Sequence, residues 1–314
     1  MKKFVSLFIA LVVCAGAVVA APAKATKAAD QEVPVTVIVM DDDASGGVDS
    51  ILNTGLEQFF GAKLNITTVN RSVALTDPNY QGFNLDFMPL YLVEKTDSVK
   101  KKIDEYIKNG QIREGQIPEK NGKLVLERQT RNVVYANKEL RPMELDLFVM
   151  SQCPYGVRAE SQIIDLMKLG RLPKDLKINV RYIVSERNGE ISSLHGSAEW
   201  EEDVRQIIIR EKYPNKFWKY LEIRNKDYRS SLWDKAAEEA GINPRIFAKY
   251  WKFGLEKLKE DIKIGDDYEV SASPTVIWQG RTATDLNSLG NIKGLEGFRQ
   301  NYGGAAQAAP QGQC

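Results

Sequence analysis

The chain has 314 residues, of which 43% are hydrophobic, and its 43 Lys and Arg residues are balanced by 42 Asp and Glu residues. A chain of this length can bury more than one core, so two domains are expected. Because the charges nearly cancel, no excess positive field attracts nucleic acid or an anionic membrane surface, and nucleic acid is excluded as an expected partner.

The first residues predict an exported protein. Residues 1–25 start with lysines, continue as an apolar run and contain small residues near the end. This pattern is typical of a secretory signal peptide, with cleavage expected after Ala20 or Ala25. We therefore expect a periplasmic or extracellular protein with no stable membrane association after signal removal, and an uncleaved anchor is the alternative. Removal of the signal would also remove Cys14 and leave two cysteines in the mature chain.

The first predicted domain covers residues 33–140 and alternates strands with helices. Its predicted elements are strand Val33–Met40, a turn at Asp41–Gly47, helix Val48–Phe60, strand Leu64–Val69, strand Leu85–Val93, helix 97–109 and a hairpin turn at Asn121-Gly122. Pro89 cannot donate to a sheet ladder, so it should open its strand or lie at a bend. The acidic run Asp41–Asp43 is interpreted as a solvated turn, with a cation site as the alternative. This half contains no cysteine or histidine, so no thiol chemistry is expected there.

The second predicted domain covers residues 143–303, and residues 304–314 are expected to form a flexible tail. Its predicted elements are a hydrophobic strand that ends shortly before Cys153, helix Tyr155–Leu169, strand Leu176–Val184, a helical insert at about 190–262, an apolar strand opened by Pro274, a turn at Gln279-Gly280, a strand near Thr282 and helix Leu295–Tyr302. Four of the five tryptophans lie in the insert and are interpreted as packed core, with the roof of a substrate groove as the alternative. The acidic residues near the start of the insert are interpreted as a solvated first helical turn: Glu199, Glu201, Glu202 and Asp203.

Cys153 is the residue most indicative of function. It follows a hydrophobic strand and directly precedes a helical pattern, where unpaired backbone N–H groups and the helix dipole stabilise a thiolate. Redox helices of this kind usually carry Cys-x-x-Cys, but the fourth position here is Gly156. The sequence therefore predicts a reactive, partly exposed cysteine without the adjacent resolving thiol, and an inert core cysteine is the alternative.

Three segments together resemble the thioredoxin superfamily, most closely its DsbA-like and GILT-like members. The segments are Cys153-Pro-Tyr-Gly156, Ser193–Asp203 and Ser273-Pro-Thr275. The resemblance covers residues 143–303 and implies a thioredoxin-like domain with a helical insertion. Because the first half repeats the order of strand, turn, helix, strand and Met-Pro segment, the predicted fold class is α/β, with two tandem thioredoxin-like domains of which the first is degenerate.

The resemblance also implies roles for individual residues. Pro154 and Tyr155 would shape the turn at the cysteine, while Ser273 and Pro274 would present backbone groups to a bound peptide. The Ser273–Pro274 bond is expected to be cis and in contact with Cys153. The Met88–Pro89 bond is likewise expected to be cis if the first domain is a structural repeat.

The predicted function is thiol–disulfide exchange by an exported protein through the single active-site cysteine Cys153. Its partners would be proteins or peptides that contain cysteine, and no cofactor or metal is expected. His195 is the only histidine, which excludes a histidine-rich zinc site. His195 is a candidate base near Cys153, and a role in capping the insert is the preferred interpretation. The alternative function is a non-catalytic peptide-binding or chaperone-like protein, and the oligomeric state is left open.

Cys314 is the only candidate resolving thiol in the mature chain. Eleven residues separate it from Gly303, which gives a typical span of about 18 Å and an extended limit of about 38 Å. If the last helix ends opposite the active site of a domain roughly 30 Å across, only a nearly stretched tail could reach Cys153. This reasoning predicts an intermolecular bridge or an unpaired thiol at Cys314.

Overall fold

The computed structural model describes residues 32–42, 47–299 and 314, and the chain divides after Lys138 into two compact units. The predicted signal peptide, Asp43 of the acidic turn and residues 304–313 of the predicted tail lie outside the described residues. Within the described ranges, no helix combines the length and apolar character needed to cross a membrane.

The first unit is a mixed α/β structure. Its strands are β1 (Val33–Val39), β2 (Leu64–Asn70), β3 (Phe87–Met88), β4 (Leu90–Glu94), β5 (Glu119–Lys120), β6 (Lys123–Leu126) and β7 (Val133–Tyr135). Its α-helices are α1 (Ser50–Phe60), α2 (Arg71–Thr76) and α3 (Asp97–Lys108), and Pro78–Tyr80 forms a 3₁₀ turn. The predicted strands, helices and Asn121-Gly122 hairpin of this half are thereby confirmed, apart from shifts of a few residues at their ends.

The main sheet of this unit is built around β1. Strand β1 is parallel to β2 and antiparallel to β4, and β4 is antiparallel to β6. Alternate residues of β1 point into a core: Val33, Val35 and Val37 are buried beside Leu56 of α1. The carboxylate of Asp49 caps the start of α1 by accepting the backbone N–H groups of Ile51 and Leu52.

Pro89 divides the predicted third strand into β3 and β4. The Met88–Pro89 bond is cis, as predicted, and Leu90 begins β4 directly after it. Just before this proline, Phe87 and Met88 pair antiparallel with Tyr135 and Val134 of β7. The backbone edge next to this cis-proline is therefore already paired with strand β7.

The second unit is also a mixed α/β structure, with most of its helices in one insertion. Its strands are β8 (Glu144–Val149), β9 (Lys177–Tyr182), β10 (Ser185–Arg187), β11 (Glu190–Ser192), β12 (Thr275–Trp278) and β13 (Thr282–Thr284). Its α-helices are α4 (Pro154–Lys168), α5 (Ser197–Lys212), α6 (Pro214–Arg224), α7 (Trp233–Glu239), α8 (Arg245–Asp267) and α9 (Leu286–Leu289), with 3₁₀ turns at Asn225–Asp227 and Glu296–Phe298.

The sheet of the second unit has the same pattern of directions as the sheet around β1. Strand β8 is parallel to β9 and antiparallel to β12, which is antiparallel to β13. Helices α4 to α8 pack against this sheet in one continuous core. The four tryptophans of the insert lie partly buried against that core, which confirms their interpretation as packing residues: Trp200, Trp218, Trp233 and Trp251.

Two predicted elements of the second unit are wrong. The insert does not become helical at Glu190, because Asn188 and Gly189 adopt positive φ angles of 54° and 83° and join β10 to β11 as a hairpin. The predicted final helix, Leu295–Tyr302, is replaced by the 3₁₀ turn Glu296–Phe298, and its residues from 300 onward lie outside the described ranges.

Candidate functional site

Cys153 lies at the junction that the sequence predicts. Strand β8 is almost completely buried, and the three residues after it lead to Cys153, the N-cap of α4. Pro154 occupies the first helical turn, where its fixed φ suits the helix and its missing N–H costs nothing. Tyr155 follows, half-buried, and the Arg158 guanidinium lies 5.8 Å from its ring centroid.

Cys153 forms a disulfide with Cys314. The S–S distance is 2.02 Å and the Cα atoms are 6.1 Å apart. The predicted intermolecular bridge or unpaired thiol at Cys314 is therefore wrong. The predicted partial exposure of Cys153 is also wrong, since none of its surface is accessible in this disulfide-bonded form.

The last described helical turn, Glu296–Phe298, lies against the far half of the active-site helix. The carbonyl of Phe298 accepts a hydrogen bond of 3.5 Å from Gln162 Nε2 on α4. Gln162 lies nine residues after Cys153, or about 14 Å along the helix axis. A Cβ added at Gly297 would lie 2.4 Å from the carbonyl oxygen of Arg171, which follows the end of α4, so this turn does lie away from the active-site end of the helix. Fifteen residues separate Arg299 from Cys314, and their extended limit of about 50 Å exceeds the width of a domain roughly 30 Å across, so a bridge needs no stretched tail.

Ser273 connects both cysteines to the cis-proline. The Ser273–Pro274 bond is cis, and the Cys153 sulfur lies 3.5 Å from the Ser273 carbonyl oxygen, so the predicted contact is confirmed. The N–H of Cys314 donates to Ser273 O at 3.0 Å, and the N–H of Ser273 donates to Cys314 O at 3.3 Å. This reciprocal pair is the hydrogen-bonded pair of an antiparallel ladder. Cys314 is held by its main chain as well as by its sulfur.

Gly156 approaches Ser273 too closely to carry a side chain. A Cβ added at Gly156 would lie 2.5 Å from Ser273 Oγ and 3.2 Å from Val149 Cβ. Ser273 Oγ also accepts the backbone N–H of Met150 at 2.9 Å, so moving it would disturb the strand that leads to Cys153. The geometry therefore explains why the fourth position of the Cys-Pro-Tyr-Gly segment holds glycine and no second cysteine.

We expect Gly156→Ala to lower the free energy of unfolding of the second unit by about 1–3 kcal/mol through overpacking. Gly265→Ala is the matched control, because its added Cβ would meet nothing closer than Phe148 Cε1 at 3.7 Å, an ordinary contact. Urea unfolding curves of the two variants measure the difference. Equal midpoints for Gly156→Ala and Gly265→Ala would contradict the close approach.

Two carboxylates of α5 hold the segment before Cys153. Glu199 Oε2 accepts the Gln152 N–H at 3.1 Å, and Asp203 Oδ1 accepts the Ser151 N–H at 3.3 Å. Both side chains are fully buried. The interpretation of these acids as a solvated turn is wrong for Glu199, Glu202 and Asp203, although the side chain of Glu201 is 39% exposed. These carboxylates can be buried because donors from residues distant in the sequence form hydrogen bonds to them.

His195 is placed by the same carboxylate. Its Nδ1 lies 2.6 Å from Glu199 Oε2, and its backbone N–H donates to Glu199 Oε1 at 3.2 Å. His195 thus helps to fix the start of the insert and contacts the residue that holds Gln152. In the described part of the chain, no group of three or more His, Cys, Asp or Glu side chains is arranged to hold a metal ion.

Two buried acids near the active-site helix each have an oxygen without a hydrogen-bond partner: Glu160 Oε1 and Asp203 Oδ2. Burial raises the pKa of Glu160 to about 8, although a hydrogen bond from Asn225 opposes the shift. Burial likewise raises the pKa of Asp203 well above its usual range. The folded protein therefore retains protons at neutral pH that the unfolded chain releases.

Glu160→Gln should reduce the loss of stability as pH rises. The unfolded carboxyl titrates near 4.5 and the folded one near 8, so between these values the folded state binds more protons and stability falls by about 1.4 kcal/mol per pH unit. Glutamine mimics the protonated form and removes this fall, so the stability gain of the variant should grow by on the order of 3 kcal/mol from pH 5 to pH 8. Urea unfolding of wild type and Glu160→Gln at both pH values measures this gain. Glu239→Gln, at an exposed position, is the control. A gain independent of pH would contradict the assignment.

A groove of about 620 Å³ opens beside the disulfide. Its walls come from the residues around hairpin β10–β11, from the end of α8 and from the loop before Ser273, and Cys314 lies along it. No sequence pattern predicts this groove, because its walls are separated in the chain by the whole helical insert.

Solved structures similar to this chain include DsbA from Pseudomonas aeruginosa, with 15% identity and a TM-score of 0.38 over 53% of this chain and 85% of that chain. SrgA from Salmonella enterica serovar Typhimurium shows 16% identity and a TM-score of 0.37 over 52% and 90%. A periplasmic thioredoxin-like protein from the same serovar shows 15% identity and a TM-score of 0.30 over 45% and 75%. No protein-family model and no curated protein matches the sequence. These identities and TM-scores are too low to assign a function.

Proposed function

We propose that this protein is an exported thiol–disulfide exchange protein whose redox pair is Cys153 and Cys314. The observation that carries the proposal is the disulfide between these residues next to the Ser273–Pro274 bond, with Cys314 paired to Ser273 through its main chain. A purely structural bridge would need neither this main-chain pairing nor a cysteine at the N-terminus of a helix. Export to the periplasm or the extracellular space is proposed from the signal peptide that the sequence predicts, and it suits an oxidised pair.

The exchange needs two successive thiolate attacks. In the reduced protein, the Cys153 thiolate attacks one sulfur of a partner disulfide, forms a mixed disulfide and releases the other partner sulfur as a thiolate. The Cys314 thiolate then attacks Cys153 Sγ, forms the intrachain disulfide and releases the second partner thiolate. The partner gains two electrons and the protein loses two. A dithiol partner or a small thiol reverses both steps and regenerates the reduced protein.

The surroundings of Cys153 fit the role of first nucleophile. The N-terminus of α4 stabilises a thiolate at Cys153. Pro154 fits the first turn of this helix because no N–H is needed at that position. The N–H and carbonyl groups of Ser273 pair with the main chain of Cys314 in the disulfide, and would be free to pair with the partner's cysteine in the mixed disulfide. Glu199 and Asp203 hold the two residues before Cys153, which limits movement of its backbone.

We further propose that both units are thioredoxin-like. In support, each sheet has one parallel pair followed by two antiparallel pairs, and each unit has one cis-proline before a central strand. The two edges beside these prolines differ in what occupies them. Met88 pairs with Val134 inside β7, whereas Ser273 pairs with a cysteine that reduction can release. This difference argues against the alternative that the first unit is a peptide-binding platform.

Reaction with an aromatic disulfide tests the proposal. Reduced protein mixed with one equivalent of 5,5′-dithiobis(2-nitrobenzoate) should release two equivalents of thionitrobenzoate and keep no adduct, because Cys314 displaces the second thionitrobenzoate from Cys153. Cys153→Ser should slow the first release by at least about 100-fold relative to wild type. Release from folded wild type no faster than from protein in urea would favour the non-catalytic alternative.

A further inference from the structure

Strand β2 forms one edge of the main sheet in the first unit, and its sequence lacks the features that usually protect such an edge. The sheet order is β2-β1-β4-β6-β5, so β2 and β5 are the outer strands. Strand β5 has only two residues, both charged, which disfavours pairing with another chain. Strand β2 has seven residues, Leu-Asn-Ile-Thr-Thr-Val-Asn, with no charged side chain, proline or glycine. A long, uncharged edge of this kind is able to pair with another strand.

The ladder with β1 shows which main-chain groups of β2 point away from the sheet. The Val33 N–H donates to Lys63 O at 2.8 Å, and β1 and β2 are parallel. Because main-chain groups alternate in direction along a strand, the odd-numbered residues of β2 bond to β1 and the even-numbered residues direct their N–H and C=O groups outward. Leu64 agrees with this alternation, since its N–H donates to Glu57 Oε1 at 3.3 Å.

The outer edge of β9 shows how such groups are covered in the second unit. Strand β9 is likewise parallel to its neighbour, β8. Its outward groups are bonded by side chains of the helical insert. Arg210 Nη1 donates to Val180 O, and Asp261 Oδ2 accepts the Tyr182 N–H at 3.4 Å. The charged side chains of α5 and α8 therefore occupy this edge.

The even-numbered residues Ile66 and Thr68 of β2 have no such cover. Within the described ranges, their N–H and C=O groups have no hydrogen-bond partner, and Thr67 between them is exposed. A second β2, placed antiparallel about Thr67, brings Ile66 of each copy opposite Thr68 of the other, so that these residues exchange both main-chain bonds. Thr67 then faces its own copy, and threonine pairs across strands are favourable. The edge is thus self-complementary, as a two-fold interface requires.

The charges next to β2 permit this arrangement. Continued by one pair, it places Lys63 of one copy opposite Arg71 of the other. Lys63 is already paired with Glu57 at 2.8 Å, and Arg71 Nε donates to Leu85 O at 2.7 Å. Because both cations are engaged within their own copy, their mutual repulsion is limited.

Helix α2 adds apolar surface next to this edge. It directly follows β2 and contacts it, and its Val73 and Leu75 side chains are 52% and 55% exposed. Pairing through β2 brings α2 of each copy next to the interface, where these side chains add to an area that a seven-residue strand alone leaves small. An extended peptide of another sequence would gain the main-chain bonds, but neither the Thr67 pair nor the second α2.

We propose that two copies of this chain associate without a covalent bond through β2, paired antiparallel about a two-fold axis at Thr67. The main sheets of the two first units then join at their edges. Because the interface is small, association should lie in the micromolar range. The inference goes beyond the exchange function and involves neither Cys153 nor Cys314.

Sedimentation velocity of the oxidised protein over a hundredfold range of concentration tests this association. Wild type should shift from monomer to dimer as concentration rises. Thr67→Lys should weaken the association at least about tenfold, because like charges directly opposite each other disfavour pairing. The control Ser231→Lys makes the same change of charge at an exposed position of the second unit and should associate as wild type does.

A charge exchange locates the two-fold axis. Thr67→Glu alone should also associate weakly, whereas an equimolar mixture of Thr67→Lys and Thr67→Glu should recover the dimer, since the two introduced charges then face each other with opposite sign. A wild type that stays monomeric, even if β2 binds an extended peptide, would overturn the inference. A mixture that associates no better than either variant alone would also overturn it. The exchange function is tested separately by thionitrobenzoate release and survives either result.

Discussion

Cys314→Ser is expected to abolish turnover of a partner disulfide and to trap the partner on Cys153. A thiol tethered to the same chain acts at an effective concentration of about 1 mM. With external thiol at about 10 µM, release of the partner should therefore be about 100-fold slower without Cys314. The mixed disulfide should accumulate to one equivalent, which mass spectrometry under non-reducing conditions detects as the added mass of the partner.

Cys153→Ser is the control for this trapping experiment. It should form the adduct at least about 100-fold more slowly, because Cys314 is not at the N-terminus of α4. Turnover by Cys314→Ser at the wild-type rate would show that another thiol resolves the mixed disulfide, and the two-cysteine mechanism would then be wrong.

The second large effect concerns stability under oxidising conditions. The disulfide joins residues 161 positions apart, and closing so long a loop reduces the entropy of the unfolded chain by up to about 5 kcal/mol, with about 2–4 kcal/mol typical of measured bridges. Cys314→Ser should therefore lower the free energy of unfolding of the second unit by about 2–5 kcal/mol. All five tryptophans lie between residues 200 and 278, so tryptophan fluorescence reports the unfolding of this unit alone.

Dithiothreitol provides the matched comparison. When the bridge is reduced, wild type and Cys314→Ser should unfold at the same urea concentration, because the loop constraint is then missing from both. A difference of similar size with and without dithiothreitol would mean that the serine itself, and not the lost bridge, destabilises the fold.

Local sequence patterns were sufficient for most elements of the fold. Alternation in Val33–Val39, helical spacing after Asp49 and the Asn121-Gly122 turn each act over a few residues, so each was visible in the sequence. The Asn188-Gly189 hairpin carries the same signal and could have been found from it. The flanking strands, β10 and β11, have three residues each and contain one apolar residue between them, so they carry no strand pattern that competes with the helical pattern that follows.

The missed parts of the site depend on contacts between distant residues. Acidic residues at a helix start are normally solvated, but Glu202 accepts hydrogen bonds from Tyr220 and Arg224, and Asp203 accepts the Ser151 N–H. Such partners are set by packing and leave no periodic trace in the sequence. The bridge to Cys314 was missed for a different reason. The predicted final helix ended at Tyr302 and left about eleven residues for the tail, whereas the last described turn ends at Phe298 and fifteen residues separate Arg299 from Cys314.

Mass spectrometry of protein purified from its native compartment, with free thiols alkylated at lysis, tests the central claim most directly. We expect a monomer two hydrogens lighter than the reduced chain, and a proteolytic peptide that joins Cys153 to Cys314. A dimer linked through Cys314, or a monomer that is alkylated at both cysteines even after treatment with oxidised glutathione, would contradict the assignment of these residues as an intrachain redox pair.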